Sequence, residues 1–440
     1  MDASIRSARV DALFAETATI SRYLQVEVAL AQTEATLGII PERAAQAIAA
    51  SATVENIDRE RYRQDFAAVG FPIVGLVRQL TELVPDGLGE FTHWGATTQD
   101  IMDTGLVLAL REVLAWTEQA LDTIIGDLAR IADEHSNTLM IGRSQMQHAV
   151  PITFGYKAAG WLVAMSRHQR RLRELRPRLL QVQFGGAAGT MAALHPEGPA
   201  VRHGLAERLG LGEPTICWHT YRDSLGEFIT FFGLLTATLA KIATDIMLLA
   251  QTEVAEVHEP TAKDRGVSSA MPHKRNPVLS QQIIVAARIT RAQVASMLEA
   301  MVQDHERGSA TWQMEWTLIP DAASHALSAL ERAVELVEGL EINSDRMKDN
   351  LGLSHQFVYA EAVMMALAPQ LGRQKAHDLV DEAVADARGG KSFVEALQQS
   401  EEINNILSES VLSKILNGQV HIEAAEQAVK EVLTNCGRRK

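Results

Sequence analysis

The stretch TGLVLALREVLAWTEQALDTIIGDLARI, residues 104–131, decides the fold, because its apolar residues recur every three or four positions. Those residues are Leu106, Leu110, Val113, Leu114, Leu121, Ile124, Ile125, Leu128 and Ile131. This spacing puts them on one face of an α-helix. The pattern predicts a helix of about thirty residues, which would be roughly 45 Å long at 1.5 Å per residue.

Four further segments predict long helices, at about 151–176, 224–256, 278–305 and 319–340. Glycine and proline breaks separate them, as in an elongated helical bundle. The flanking regions mix shorter helical pieces with turn signals. We therefore predict an all-α fold in three parts. These are an N-terminal helical domain (1–103), a central long-helix bundle (104–343) and a C-terminal helical domain (344–440).

Several of the predicted long helices are apolar on more than one side, and residues 228–250 are apolar almost all round. A single bundle of five helices cannot bury so much apolar surface, so we predict a homo-oligomer. The same segment contains Lys241 and Asp245, which leaves its apolar run too short to span a bilayer. We expect a buried core helix there and no membrane partner.

The bulk composition narrows the class of function. A net charge of −14 argues against nucleic acid as a main partner, because phosphate binding needs a basic surface. A small anionic substrate remains possible in a local basic pocket. The two cysteines, Cys217 and Cys436, form no metal motif, and the N-terminus lacks a signal peptide, so we expect a cytoplasmic protein. Neither histidine spacing nor a phosphate-binding glycine loop predicts a metal or cofactor.

Residues 265–277, RGVSSAMPHKRNP, form the most informative polar segment. Pro272 and Pro277 are incompatible with a continuous helix, which predicts a loop between two long helices. The loop carries two hydroxyl groups, Ser268 and Ser269, and a positive charge, Lys274. Polar loops on a rigid helical frame are common locations for catalytic residues.

A second polar cluster, THWGATTQD at residues 92–100, immediately precedes the first long helix. Its threonine hydroxyls and amide could hydrogen-bond a carboxylate, and a helix N-terminus favours anions. The predicted contacts are Thr97, Thr98 and Gln99, with His93 beside them. An equally good alternative is a simple helix cap made by Asp100 or Asp103.

Three further clusters allow both a functional and a structural interpretation. Residues 142–151 suggest a lined site with Gln145, Gln147 and His148, although a solvated loop between helices is favoured on residue types alone. Arg222 could hold a carboxylate bidentately, or form a structural pair with an aspartate. Arg307, in the Asp-His-Glu-Arg-Gly-Ser stretch at 304–309, has the same two interpretations.

Taken together, these motifs resemble the fumarase/aspartase superfamily. The resemblance covers essentially the whole chain, and its most specific element is the loop SSAMPHKRNP at residues 268–277. It implies an all-α homotetramer with active sites built from three subunits. It also implies proton transfer next to a carboxylate, through an aci-carboxylate intermediate. By motif, Ser268 matches the base, Lys274 and Asn276 match carboxylate-holding residues, and we add Ser269 and Met271 as substrate contacts.

Two departures from the superfamily pattern narrow the branch. Fumarases and the adenylosuccinate and argininosuccinate lyases carry a Thr-His pair where this chain has Ser144-Gln145, and glutamine cannot transfer a proton. Adenylosuccinate lyases also place a serine and an arginine where this chain has Trp312 and Trp316. Two tryptophans are a poor phosphate site, so adenylosuccinate is not the expected substrate.

The chain most resembles the bacterial 3-carboxy-cis,cis-muconate cycloisomerase branch. It shares the Trp-His-Thr-x-Arg-Asp motif at 218–223, the Gln-Phe-Gly-Gly-Ala motif at 183–187 and Glu315-Trp316, but has Val267 where relatives often have glycine. The nucleophile of that reaction is a carboxylate already ionised at neutral pH, which explains why a histidine is dispensable at 145. His93 is the candidate for any remaining acid.

Two other functions remain open at this point. A lyase that releases a stable anion or an amine from a substituted succinate, giving fumarate, would fit the same loop. A non-catalytic structural homologue is the third possibility, against which the intact Ser268, Lys274 and Asn276 argue.

Overall fold

The computed structural model describes residues 5–261, 266, 270–271 and 273–436. This part of the chain is largely helical, which confirms the predicted all-α class. The helices are α1 (Ala8–Leu13), α2 (Glu16–Thr36), α3 (Glu42–Ser51), α4 (Arg59–Val69), α5 (Pro72–Leu83), α6 (Thr98–Glu134), α7 (Phe154–Leu179), α8 (Gly198–Leu209), α9 (Asp223–Leu249), α10 (Val278–Ala300), α11 (Trp312–Glu338), α12 (Ser344–Gly352), α13 (Ala360–Leu371), α14 (Arg373–Arg388), α15 (Phe393–Gln399), α16 (Glu401–Ile406), α17 (Glu409–Leu416) and α18 (Gln419–Cys436). The strands are β1 (Leu139–Ser144), β2 (Gln147–Thr153), β3 (Val257–His258) and β4 (Glu341–Ile342).

The five helices predicted from periodicity are the long helices α6, α7, α9, α10 and α11, of 37, 26, 27, 23 and 27 residues. Their ends differ from the prediction by several residues, since α6 begins at Thr98 and α9 ends at Leu249. Pro177 and Pro320 lie inside α7 and α11, so α7 continues past its predicted end near 176 and α11 begins before its predicted start near 319. Burial of the neighbouring residues Leu179 and Ile319 continues the apolar face through each proline.

Helix α9 is long and apolar enough to cross a membrane by length and composition, the one such helix in the described ranges. Just over half of its most apolar window, 56%, is buried inside the structure. The prediction that this apolar run is too short to span a bilayer is therefore wrong by length and composition. Core helices of soluble proteins meet the same criteria, and partial burial fits the core helix that the sequence predicted.

The break at 142–151 was predicted as a loop, and the structure shows an antiparallel hairpin of β1 and β2 instead. Gln145 and Met146 occupy its turn with φ angles of 49° and 62°. Two left-handed residues match the twist of paired strands in a two-residue hairpin turn. The prediction was wrong because Gln-Met is not a typical sequence for such a turn, which usually contains asparagine or glycine.

The chain divides into two compact units. The first unit comprises Met1–Ala120, His168–Leu239 and Gln282–Glu331, and the second comprises Leu121–Arg167, Ala240–Gln281 and Arg332–Lys440. The borders fall within the five long helices. The three-domain division at residues 103 and 343 stays a prediction.

Each unit has its own hydrophobic core. In the first unit, α2, α3, α5, α8 and the start of α6 contribute buried side chains, together with Trp312 of α11. In the second unit, β1 packs with residues of α12 to α17. The first core matters for function, because α2 and α6 also carry the polar residues of the candidate site.

Arg222 is the centre of a buried ion network in the first unit and is only 1% exposed. Its guanidinium donates to both oxygens of Asp103 on α6, at 2.7 and 2.9 Å, and to both oxygens of Glu315 on α11. The predicted role of Arg222 in substrate binding is therefore wrong, because its donors serve two protein carboxylates. The structural alternative applies, although its partners are not the neighbouring Asp223.

We predict that Arg222→Met lowers the free energy of unfolding by about 3–5 kcal/mol, because it leaves two buried carboxylates without a cation. The matched control is Arg178→Met, which breaks an ion pair with Glu227 between two exposed side chains. That control is expected to cost less than about 1 kcal/mol. Urea unfolding at one fixed protein concentration measures both, and equal losses would contradict the prediction.

Candidate active site

His93 is the best-positioned acid–base group of the first unit. It lies in the turn before α6 with a φ of 60°, a left-handed conformation that is uncommon for residues other than glycine. Its Nδ1 is 2.6 Å from Oε1 of Glu27, a residue of α2 that is 1% exposed. Burial alone would lower the pKa of His93, but the charge of Glu27 and this hydrogen bond outweigh it and raise that pKa above 6.5. The contact with Glu27 therefore favours the protonated form of the ring.

Asp100, in the first turn of α6, anchors the turn that carries His93 and Thr97. Its buried carboxylate accepts hydrogen bonds from the backbone N–H groups of Thr97, Gly185 and Gly186 at 3.0, 3.0 and 2.9 Å. His219 Nε2 is a fourth partner at 2.7 Å. Burial opposes protonation of His219, yet Asp100 raises its pKa to about 9. Asp100 therefore joins three segments: the start of α6, the glycine turn at 185–186 and the segment that carries His219. The simple helix cap describes only part of this role.

The glycine-rich stretch beside Asp100 is shaped by close packing. A side chain at Gly185 would place its Cβ 2.6 Å from Sγ of Cys217. Gly186 has a φ of +68°, which few other residues adopt readily. The backbone N–H groups of both glycines donate to the Asp100 carboxylate and so help to fix its position.

Thr97 and Arg307 form the part of the first unit that is best suited to an anion. Arg307 Nη1 donates to Oγ1 of Thr97 at 2.7 Å, and both residues are partly exposed. Thr98 follows as the first residue of α6. Hydroxyl and guanidinium donors at a helix N-terminus suit a carboxylate. The structure thus brings together His93, Thr97, Thr98 and Arg307 within one unit.

Gln99 does not join this group. Its side chain is buried with 0% exposure, and its Nε2 donates to the backbone oxygen of His219 at 2.8 Å. The prediction that Gln99 contacts substrate is therefore wrong, because the amide points into the protein. The helical turn that exposes Thr97 and Thr98 directs the next side chain inward.

In the second unit, the β1–β2 hairpin presents Gln145, Gln147 and His148, all exposed. Nδ1 of His148 is 2.6 Å from the hydroxyl of Ser354. Burial and the nearby Arg143 lower the pKa of His148, so its imidazole is neutral near pH 7. Exposure keeps all three side chains available to a ligand, and their substrate contacts stay predictions.

The hairpin is fixed by a second buried carboxylate. Glu256, with 0% exposure, accepts two hydrogen bonds from Arg143 of β1, at 2.9 and 2.7 Å. Asn350 of α12 donates to the same carboxylate at 2.8 Å. This bidentate pair holds β1 and therefore the turn that carries Gln145.

The loop at 265–277 is described only in part, and Ser268 and Ser269 lie outside the described residues. Lys274 and Met271 are exposed. The backbone N–H and the side-chain Nδ2 of Asn276 both donate to the carbonyl oxygen of Gly266, at 3.1 and 2.9 Å. Asn276 therefore closes the two ends of the loop on each other.

The closed loop is joined to the helix that follows it. Glu259 accepts hydrogen bonds from the N–H groups of Leu279 and Ser280 in the first turn of α10, at 3.0 and 2.7 Å. Arg275 Nη2 donates to the carbonyl of Glu259 and to the carboxylate of Glu341. These contacts fix the base of the loop next to the start of α10.

Sequence reasoning missed Glu27 and its neighbour Glu34, two carboxylates one above the other on α2. Glu34 has 0% exposure, and neither of its carboxylate oxygens has a hydrogen-bond partner among the described residues. Burial, assisted by the charge of Glu27, raises the pKa of Glu34 to about 9. The available signal was the seven-residue spacing of two glutamates on the apolar face of a helix.

Tryptophans 312 and 316 lie in the aromatic part of the first core. Trp312 is 2% exposed and stacks on Phe71, with ring centroids 5.9 Å apart. Trp316 packs edge-on against the same ring. This apolar packing agrees with the expectation that the two positions make a poor phosphate site.

The part of the chain that the structure describes contains no group of three or more histidine, cysteine, aspartate or glutamate side chains arranged to hold an ion.

The chain is similar to known proteins along nearly its whole length. The family model described as Lyase matches residues 5–290, and the one described as Adenylosuccinate lyase C-terminus matches residues 356–432. The 3-carboxy-cis,cis-muconate cycloisomerase of Pseudomonas aeruginosa is 42% identical, covering 98% of this chain and 95% of its own. Trans-aconitate decarboxylase 1 of Mycosarcoma maydis is also 42% identical, covering 94% of this chain and 84% of its own.

Two solved structures share the fold. The fumarate lyase of a Mesorhizobium species superimposes with a TM-score of 0.91 at 41% identity, covering 98% of both chains. The 3-carboxy-cis,cis-muconate lactonizing enzyme of Pseudomonas putida superimposes with a TM-score of 0.92 at 37% identity, covering 99% of this chain and 98% of its own.

We predict that Glu34→Gln changes how stability depends on pH. Glu34 has an ordinary pKa of 4.5 when unfolded and about 9 when folded, so folding takes up a proton between those values. The stability that this group contributes is complete below pH 4.5 and is lost as pH rises toward about 9. Glutamine removes this loss, so the variant gains on the wild type with rising pH, by at most about 1.4 kcal/mol per pH unit.

Urea unfolding at several pH values between 5 and about 8.5 measures the effect of Glu34→Gln. The matched control is Glu42→Gln, an exposed glutamate of α3. Parallel pH profiles for wild type and Glu34→Gln would show that Glu34 is ionised in the folded protein.

Proposed function

Because the chain belongs to the fumarase/aspartase superfamily of lyases and cycloisomerases, we propose that it interconverts 3-carboxy-cis,cis-muconate and its carboxymuconolactone. The family membership expected from the motifs is confirmed by the Lyase family model and by relatives at 42% identity. The chain is an enzyme of that superfamily, and its relatives act on small carboxylates. The specific substrate and the steps below are our proposal.

The observation that carries the proposal is Gln145 at the exposed turn of the β1–β2 hairpin. Other branches use a histidine there to handle a proton on the leaving or attacking group. A glutamine amide has no proton-transfer role near neutral pH. A carboxylate nucleophile needs none, because it is already ionised. An intramolecular lactonisation therefore suits this residue better than the release of an amine.

The proposed reaction has two steps. A substrate carboxylate oxygen adds to the double bond, and the displaced electron pair moves into the neighbouring carboxylate to give an aci-carboxylate dianion. Ser268 then delivers its hydroxyl proton to the carbon next to that carboxylate and regains a proton from solvent. In the reverse direction, the Ser268 oxyanion removes the carbon proton. Lys274 and Asn276 are the proposed partners of the charged carboxylate. Preorganised donors stabilise such developing charge more effectively than water does.

The first unit supplies the remaining proposed contacts. His93, Thr97 and Arg307 offer an imidazole, a hydroxyl and a guanidinium in one neighbourhood. A substrate with three carboxylates needs several such donors. Thr98, Gln147, His148 and Met271 complete the proposed lining, and no cofactor takes part.

We propose that the site is completed in a homotetramer, with several subunits contributing to each site. Long helices of the first unit expose apolar side chains that water does not favour, which supports this proposal. Leu234 of α9 is 50% exposed, and Val285 and Leu298 of α10 are 44% and 51% exposed. Burial of these residues between subunits would extend the core beyond one chain.

A second candidate is a lyase that forms fumarate from a substituted succinate. The solved fumarate lyase supports it, at 41% identity and a TM-score of 0.91. Within this alternative, Gln145 favours a leaving group that is a stable anion, since an amine would need a proton donor. The relative named trans-aconitate decarboxylase indicates that a similar protein can also catalyse the release of carbon dioxide.

The first test is a substrate panel with product identification. We predict that the enzyme consumes 3-carboxy-cis,cis-muconate, seen as loss of diene absorbance, and forms the lactone. Substituted succinates and trans-aconitate are the comparison substrates, monitored by fumarate formation and by carbon dioxide release. Faster turnover of a comparison substrate would replace the proposal with the corresponding reaction. Absence of all three activities would reject the proposed reaction and both comparison reactions.

The second test concerns the carbon acid–base group. We predict that Ser268→Ala lowers kcat by about 10²–10⁴-fold with a small change in KM, because a proton-transfer group is lost. Ser269→Ala is the matched control, since it removes the neighbouring hydroxyl, which we assign only to substrate contact. If Ser269→Ala lowered kcat more than Ser268→Ala does, Ser269 would be the proton-transfer group and Ser268 the substrate contact. If neither variant lowered kcat, neither serine would take part in the proton transfer.

A further inference from the structure

Glu27 has no role in the reaction as written above, yet it makes the shortest contact of His93. Its Oε1 lies 2.6 Å from Nδ1 of the imidazole, and the carboxylate is buried on the inner side of α2. Its other oxygen, Oε2, has no hydrogen-bond partner among the residues that the structure describes. A buried carboxylate with so little other support is favoured when its one partner is positively charged.

We propose that Glu27 is a positioning residue that keeps His93 protonated and turned so that its Nε2–H faces the substrate carboxylate. The proposal rests on the function proposed above, because it explains how His93 serves that site. It gives His93 the role of a charged N–H donor toward that carboxylate.

The hydrogen bond to Glu27 determines which nitrogen of His93 is free. Nδ1 is engaged by the carboxylate, so Nε2 is the ring nitrogen left for a ligand. The side chain of His93 keeps 17% exposure, against 1% for Glu27, so the imidazole reaches the surface while the carboxylate stays behind it. The left-handed backbone of His93 holds this orientation, since such a conformation persists only where surrounding contacts enforce it.

The other charged groups near Glu27 and His93 either also raise the pKa of His93 or leave it unchanged. Asp100 of α6 adds a negative potential that favours the imidazolium. Glu34 lies two helical turns further along α2. It is buried and neutral at pH 7, because burial and the charge of Glu27 raise its pKa to about 9. Glu27 therefore remains the main source of the effect, and Glu34 provides a control on the same helix face.

The direct experiment is a pH titration of the full-length enzyme labelled with ¹³C at the histidine Cε1 position. The His93 signal is assigned by its loss in His93→Asn. In Glu27→Gln we expect the titration midpoint of His93 to fall by about one to three pH units, the usual effect of one close opposite charge. Glu27→Asp, which keeps the charge, should retain most of the wild-type midpoint, and Glu34→Gln should leave it unchanged. An unchanged midpoint in folded Glu27→Gln would overturn the proposal.

A kinetic experiment separates positioning from general structural support. With the substrate that the wild type turns over, the alkaline limb of the kcat/KM profile should move to lower pH in Glu27→Gln. The movement should match the change in the His93 midpoint and be largely restored in Glu27→Asp. A loss of kcat/KM that is equal at every pH would refute a role through the proton of His93. If the wild type turned over none of the tested substrates, the proposed function would fail, while the titration would still decide the Glu27–His93 pairing.

Discussion

The four hydrogen bonds of Asp100 are the constraint on which the first unit's site depends. One buried carboxylate joins the start of α6, the glycine turn at 185–186 and the segment that carries His219. Three of these bonds come from backbone N–H groups and the fourth from a histidine, all of which would otherwise need water inside the protein. Because they converge on one residue, the turn with His93 and Thr97 is held to the protein core before any ligand binds. Preorganisation of this kind is what a site needs to stabilise developing charge.

His93 and His219 of the first unit are each paired with a buried carboxylate, and their surroundings give them different uses. His219 is 1% exposed and its Nε2 contacts the buried Asp100, so its positive charge stabilises the fold. His93 has the same type of partner but keeps part of its ring exposed. The chemistry of the two pairs is alike, and access to a ligand distinguishes the candidate catalytic pair from the structural one.

Local sequence patterns predicted most of the helical fold, because periodic apolar residues act over a single element. Helix α6 follows directly from its repeating leucines and isoleucines. The partners of Arg222 could not be predicted in the same way, since Asp103 and Glu315 lie 119 and 93 residues away in sequence. Residue type alone also could not tell whether Gln99 points inward. That depends on where α6 begins, which the structure places six residues before the predicted start.

The polar loops of the candidate site were predicted from their composition, and the structure identified the buried groups that contact them. Glu27 was missed because a single acidic residue in an amphipathic helix is usually exposed. The hairpin that carries Gln145 was missed because the residues of its turn are atypical, so only the pairing of its strands reveals it. In both cases the deciding information is tertiary, since it concerns which surfaces are covered.

The closure of the loop at Gly266 and Asn276 has a consequence for the substitutions that the loop tolerates. Both hydrogen bonds end on one carbonyl, and a side chain at Gly266 would collide with the backbone oxygen of Asn276 at 2.7 Å. The two ends are thus fixed independently of the amino acids between them. We expect substitutions between these ends to leave the attachment intact, because neither hydrogen bond uses a side chain from the intervening residues.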